Sequence, residues 1–278
     1  MVNFNGTIVS SEKALISHQN RAFKYGDGVF ETLKVENGKI IFFEDHYFRL
    51  MASMRMLRMK IPMQFTLEFL QDEIVKTVSE NKLIDGTCRA RLTVYRKDGG
   101  LYTPKTNEVT YLIDVAPVTT TNQEVYVVDL FKDFYNYSGL LSTVKTTNRM
   151  LNTLASIFAE ENELDNCILL NENKGIVEVA NGNIFIVKDN LIKTPALTEG
   201  CIKGVIRKKI IDIVTKHPEY TIEETTISPF ELQKADEVFI TNAIIGIQSV
   251  TNYRKKTFKT DVAKKLQNNL NIVSVTTH

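Results

Sequence analysis

The spacing of apolar and polar residues changes period repeatedly along the chain, and each change marks a predicted element. Residues 1–43 read as strands and turns: Asn5–Gly6 and Asn37–Gly38 are hairpin signals, the second joining extended runs at 30–36 and 39–43. From 44 to 59 the period is helical, with Tyr47, Leu50, Met51, Met54 and Leu57 on one face and Arg49 off it. A second helix starts at Thr66, turning Leu67, Leu70, Ile74 and Val78 inward. Residues 87–95 and 108–115 read as strands, and a period of two puts Arg89, Arg91 and Tyr95 on one face of the first. The polar, proline-containing stretch 116–122 reads as a linker between a small domain, 1–115, and a larger one, 123–278.

Beyond the linker, a strand at 125–130 is followed by a short extended run at 140–144. A helix runs from about 148 to 162, with Met150, Leu154 and Phe158 at helical spacing. Strand pairs follow at 167–170 with 176–179 and at 183–187 with 191–193. A helix after Gly204 turns Ile206, Ile210, Ile213 and Val214 inward. Ser228 to Glu231 is a capping box with proline at the first helical position. Strands at 237–241 and 247–250 precede a final amphipathic helix from about 260, with Val262 and Leu266 inward. Strands and helices in this mixture make the expected class α+β.

Composition narrows the function without naming it. With 278 residues, 43% hydrophobic, and a net charge of +1, the chain has ample core material and no excess charge directed at nucleic acid or an anionic membrane. No apolar run approaches a membrane span, and the N-terminal residues do not read as a signal peptide, so a cytoplasmic protein is expected. Cys88, Cys167 and Cys201 read as reduced, buried residues, and the four histidines show no metal-ligand spacing.

Five features carry candidate chemistry. Lys145 lies just before a helix, where a desolvated amine can act as a nucleophile toward carbonyls. Glu178 shares its strand face with Ile176 and Ala180, so a carboxylate there needs a partner. Arg89 and Arg91 on one strand face make either a solvated pair or a carboxylate trap. Gly26 and Gly28 around Asp27 permit close backbone approach, and Gly204 at a helix start suits a phosphate.

Five motifs in order resemble the class IV aminotransferases, the fold-type IV pyridoxal-phosphate enzymes. They are Tyr25 to Glu31; His46, Arg49 and Leu50; Lys145 and Asn148; Glu178, Asn183, Ile184 and Phe185; and Gly204, Val205 and Arg207. The resemblance spans Arg21 to about Val250 and implies a small N-terminal α/β domain, a larger barrel-like C-terminal α/β domain, and a homodimer. It implies pyridoxal 5′-phosphate held by Lys145 as a Schiff base, with Glu178 on the pyridine nitrogen. The cofactor phosphate would meet Arg49, the Val205–Ile206 backbone and the Asn242–Ala243 turn, with Asn183 completing the cofactor set. Phe30, Thr32, Arg91, Arg96 and Ile244 would lie nearest the substrate, an amino acid of branched-chain-like or D type exchanging its amino group with a 2-oxo acid. Aminodeoxychorismate lyase is the alternative, supported by Asn148–Arg149–Met150, the Asn242–Ala243 turn and Thr32. A non-catalytic binding module on the same scaffold would require loss of Lys145 or Glu178, and both are present.

Overall fold

A computed structural model describes residues 1–13, 16–119 and 122–276. The chain divides into two compact units, one of residues 1–119 with 145–148, the other of residues 120–144 with 149–278. A four-residue piece of the middle of the chain thus belongs to the first unit.

The first unit contains β1 (Val2–Phe4), β2 (Thr7–Val9), α1 (Arg21–Tyr25), β3 (Gly28–Glu36), β4 (Lys39–Ile40), α2 (Phe43–Met56), α3 (Leu67–Glu80), β5 (Thr87–Arg96) and β6 (Val109–Pro117). Its strands form one antiparallel sheet in the order β2-β1-β6-β5-β3-β4. Both Asn–Gly turns hold positive φ at both residues (Asn5 50°, Gly6 86°; Asn37 48°, Gly38 75°), the geometry that matches strand twist in a two-residue hairpin. Strand parity divides the sheet. Val29, Leu33, Val35, Cys88, Ala90, Leu92, Val94 and Ile113 are buried with Leu50, Met54, Leu70, Ile74 and Val78 of α2 and α3. The opposite face carries Phe30, Thr32, Arg89 and Arg91.

Two expectations need correction here. Residues 21–25 are helical, because the Asn20 side chain accepts the Phe23 N–H at the start and Gly26, at φ +64°, ends the turn. The expected linker begins inside a strand: β6 continues to Pro117, opposite Cys88, while β1 pairs only with Leu112 and Ile113. The other edge of β6 therefore asks for no N–H at Pro117. Residues 120–121 of that linker lie outside the described residues.

The second unit contains β7 (Val127–Phe131), α4 (Met150–Glu161), β8 (Asn166–Leu170), β9 (Ile176–Val179), β10 (Asn183–Lys188), β11 (Leu191–Pro195), α5 (Val205–Thr215), β12 (Thr221–Thr225), α6 (Pro229–Lys234), β13 (Glu237–Asn242), β14 (Gly246–Val250), β15 (Asn252–Tyr253), β16 (Lys256–Thr257) and α7 (Asp261–Thr276). Two five-stranded sheets form, β12-β11-β10-β13-β14 and β16-β15-β7-β8-β9. Parallel pairs β7–β8 and β11–β12 are those whose connections pass through α4 and α5. Both sheets close on one core, in which Val128, Ile168 and Ile176 of one meet Ile184, Ile186, Val238 and Ile240 of the other; this is the barrel-like arrangement.

The run 140–144 is not extended. Leu140–Thr143 is a 3-10 turn, and the Ser142 and Thr143 hydroxyls donate back to the Gly139 and Leu140 carbonyls at 2.6 and 2.8 Å, a local bond that competes with strand. In α4, Ala155 and Ala159 are the buried residues, Leu154 and Phe158 pack beside them, and Met150 is exposed.

Candidate active site

Lys145 owes its place to two glycines. The outer edge of β3 is covered by β4 only at residues 35 and 36, leaving its first residues without a strand neighbour. Residues 145–148 lie along that edge. Phe30 N–H donates to Lys145 O at 3.0 Å, Thr147 N–H donates to Gly28 O at 2.9 Å, and Val29 bridges Thr146. The approach is close: a Cβ on Gly26 would come within 3.0 Å of Asn148 Cβ, and one on Gly28 within 3.2 Å of the Thr147 side chain. The Gly–Asp–Gly turn is therefore a seat for the lysine segment, with Asp27 held by Arg21 at 2.8 Å and Arg96 at 3.0 Å.

On the open face, Lys145 Nζ lies 4.6 Å from the centroid of the Phe30 ring, and Arg91 Cζ lies over the same ring at 3.7 Å. Thr32 and Asp114 sit opposite Arg91 in the sheet register. These charges are incompletely matched. Burial draws the Arg91 guanidinium below its ordinary pKa, with Asp114 acting against that and Arg89 adding to it. Burial likewise raises Asp114, against the two arginines. Arg89 reaches Asp114 at only 3.4 Å, and its Nε is buried with no hydrogen-bond partner among the described residues.

On the covered face, Glu31 of β3 is 2% exposed and meets His46 and Arg49, one helical turn apart on α2. Arg49 donates from Nε and Nη2 at 2.8 and 2.5 Å, and His46 Nδ1 lies 2.7 Å from the second carboxylate oxygen. Burial pushes the Glu31 carboxyl up, but the Arg49 charge and the hydrogen bonds from Arg49 and His46 outweigh it and hold the pKa at about 2. Burial also lowers the His46 pKa, so the ring is neutral and donates from Nδ1 to an acceptor-only carboxylate.

Arg96, expected nearest the substrate, is placed elsewhere. Its Nε binds Asp27, Nη1 donates to Asn107 Oδ1 at 2.5 Å, and Nη2 donates to Leu57 O at 2.8 Å. It is a brace among loops, and that engagement of all three nitrogens argues against a substrate contact.

In the second unit, Glu178 on β9 is 4% exposed, and its Oε2 accepts the Ile202 N–H at 2.9 Å. That amide gives the carboxylate one partner that its apolar strand face lacked. Asn183, at the start of β10, donates to Ile202 O at 2.9 Å. The same asparagine presses on Gly204, where an added Cβ would fall 2.0 Å from Asn183 Oδ1. Gly204 opens α5 with no side-chain cap, followed by buried Val205 and Ile206. Thr241 pairs with Asn183 across β10–β13, and its hydroxyl is buried with no partner among the described residues. After Thr241, Asn242 Oδ1 accepts the N–H groups of Ile244 and Ile245 at 3.0 and 3.1 Å, fixing the turn that holds Ala243. An uncapped helix start, a required glycine and an orphaned hydroxyl fit an anion such as a phosphate.

Glu31, His46 and Thr241 were not singled out by residue-level reading of the sequence. Glu31 alone carried a signal: it lies between Val29 and Leu33 on an apolar strand face, the same pattern that flags Glu178. Thr241 shows no signal in sequence, because a threonine in a strand is ordinary.

Comparison with known proteins gives one family. The profile described as amino-transferase class IV matches residues 28–253. A putative branched-chain-amino-acid aminotransferase of Methanocaldococcus jannaschii is 29% identical over 251 residues, 90% of this chain and 86% of its own. A D-alanine aminotransferase of Listeria monocytogenes serotype 1/2a is 26% identical over 259 residues, 89% of this chain and 86% of its own. In structure, the chain is similar to the branched-chain aminotransferase of Thermoproteus uzoniensis solved with norvaline, with a TM-score of 0.89 at 23% identity over 99% of this chain and 94% of that one.

Proposed function

Since the chain belongs to the class IV aminotransferase family, whose cofactor is pyridoxal 5′-phosphate, we propose that it exchanges an amino group between an amino acid and a 2-oxo acid, with Lys145 as the working amine. The supporting observation is the ring of Phe30, flanked by the Lys145 ammonium at 4.6 Å and the Arg91 guanidinium at 3.7 Å. An amine for proton transfer and a cation for a carboxylate, held beside one aromatic ring, are what an amino-acid substrate requires.

Bound pyridoxal phosphate supplies an electron sink for the carbanion left when the substrate α-carbon loses its proton. Lys145 would hold the cofactor, and its Nζ would be the group that carries the α-proton. Glu178 would be the carboxylate for the pyridine nitrogen. Arg49 in the first unit is a candidate phosphate ligand; in the second unit the first turn of α5 at Val205 and Ile206 and the Asn242–Ala243 turn are candidates too, with the orphaned Thr241 hydroxyl a further donor beside Asn183. Arg91 takes a substrate carboxylate, with Arg89 beside it and Asp114 keeping both arginines in place. Thr32 and Ile244 shape the remainder of the substrate site. The natural substrate is an amino acid of branched-chain or D type.

The deciding experiment supplies the purified protein with pyridoxal phosphate, an L- or D-amino acid and 2-oxoglutarate. Steady amino-group exchange that requires both substrates is expected. Release of pyruvate and 4-aminobenzoate from aminodeoxychorismate, with no added oxo acid, would replace this reading with the lyase. No exchange with any amino acid would end it.

A further inference from the structure

Arg49 does not stand alone in its unit. Its guanidinium is aligned by two hydrogen bonds to Glu31, Nε to Oε1 at 2.8 Å and Nη2 to Oε2 at 2.5 Å, and that same Oε2 is also held by His46 Nδ1 at 2.7 Å. Three elements of the arrangement restrict movement. Glu31 is on a central run of β3, paired with Leu92 of β5, so its backbone is fixed. His46 and Arg49 share one face of α2, so neither can shift without the other. Glu31 and His46 are 2% exposed, so no water competes for the carboxylate. An arginine side chain has several rotatable bonds, and holding its planar fork in one orientation costs conformational entropy before any anion is bound. Here folding of the unit has already met that cost.

We propose that Glu31 is a positioning residue for the cofactor phosphate: it fixes the plane of the Arg49 guanidinium, and His46 fixes Glu31. This rests on the reading that Arg49 grips the phosphate. The neutral state of His46 is part of the device. A protonated imidazole would add a second cation beside Arg49 and draw the carboxylate away from it, whereas a neutral ring donates one hydrogen bond and leaves the charge of Glu31 for Arg49.

The test separates phosphate recognition from general folding. The full-length chain is titrated with pyridoxal 5′-phosphate and with pyridoxal, which lacks the phosphate, and binding is read from the visible absorbance band. The Glu31→Gln variant is expected to weaken pyridoxal phosphate by about tenfold or more, the size of one charge-assisted hydrogen bond, while pyridoxal affinity stays within about twofold. His46→Gln is expected to move the ratio in the same direction by less. Glu31→Asp, which keeps the charge but draws it back by one methylene, covers the case in which Glu31→Gln does not fold, and is expected to lower the ratio too. An equal loss for both ligands would make Glu31 merely structural, and tighter binding of the phosphate form would make it a competitor; either overturns the proposal. If Arg49→Gln leaves the ratio unchanged, the reading of Arg49 itself fails. If Arg49→Gln lowers the ratio and Glu31→Gln does not, only the positioning role fails.

Discussion

Phe30 and Glu31 are neighbours in the chain and face opposite sides of one sheet, and the two sides handle charge in opposite ways. On the covered side each ion is matched: one carboxylate, one guanidinium and one neutral ring, with the Glu31 pKa at about 2. On the open side two arginines share Asp114, the buried Arg89 Nε has no partner, and both Arg91 and Asp114 are pushed toward their neutral forms by burial. A complete network is suited to hold one geometry, whereas an incomplete one stands to gain from an added anion. Under the proposed function, the first side serves alignment and the second substrate recognition.

Lys145, seated at the edge between these faces, gives the largest test. Lys145→Ala is expected to abolish turnover and leave the fold intact, because the backbone hydrogen bonds that tie the segment to Gly28 and Phe30 are kept. Circular dichroism and an exchange assay check both halves; retained turnover would remove the residue from its role. Next, Arg91→Met should raise the KM for amino acids by about ten- to a hundredfold, as loss of a charge-assisted pair does, with pyridoxal phosphate affinity unchanged. A fall in cofactor affinity instead would erase the division between the faces.

The acid limb of stability tests the covered side. The Glu31 pKa is depressed from 4.5 to about 2, so its contribution is fully present above about pH 4.5 and is lost as the pH falls toward 2. That contribution is about 3 kcal/mol on the scale of one pKa unit per 1.36 kcal/mol. Denaturant melts of the parent and of Glu31→Gln should therefore differ most above pH 4.5 and converge near pH 2. The smallest effect is expected from Gly28→Ala. Its Cβ would meet Tyr95 Cβ at 3.1 Å and Thr147 at 3.2 Å, so the seat must open by a few tenths of an ångström. A cost of about 1 kcal/mol and a modest drop in kcat would follow; an unchanged kcat would show that the lysine tolerates the shift.

Elements whose signals are local were legible in the sequence. The two Asn–Gly turns, the capping box at Ser228 and the helical faces of α2 and α3 follow from residues a few positions apart. What the sequence hid depends on distance or on backbone partners. The seat for Lys145 is formed by glycines more than a hundred positions earlier, and nothing near Lys145 points to them. Arg96 reads as a pocket arginine because its role is set by Asp27, Asn107 and the Leu57 carbonyl. The run at 140–144 reads as extended because two leucines precede Ser142 and Thr143, whose hydroxyls turn the chain back. Among the candidate residues, Lys145 and Glu178 are marked in the sequence by position and parity, whereas Thr241 stands out only through its buried hydroxyl without a partner among the described residues.

The segment 145–148 belongs with the first unit although the chain reaches it only after leaving that unit. A nascent polypeptide that has emerged only to residue 119 therefore carries an unfinished sheet, with the backbone of Gly28 and Phe30 lacking the bonds that Thr147 and Lys145 supply. Synthesis must continue through Lys145 before that border is sealed, so a fragment ending at the unit boundary would be prone to edge-to-edge self-association.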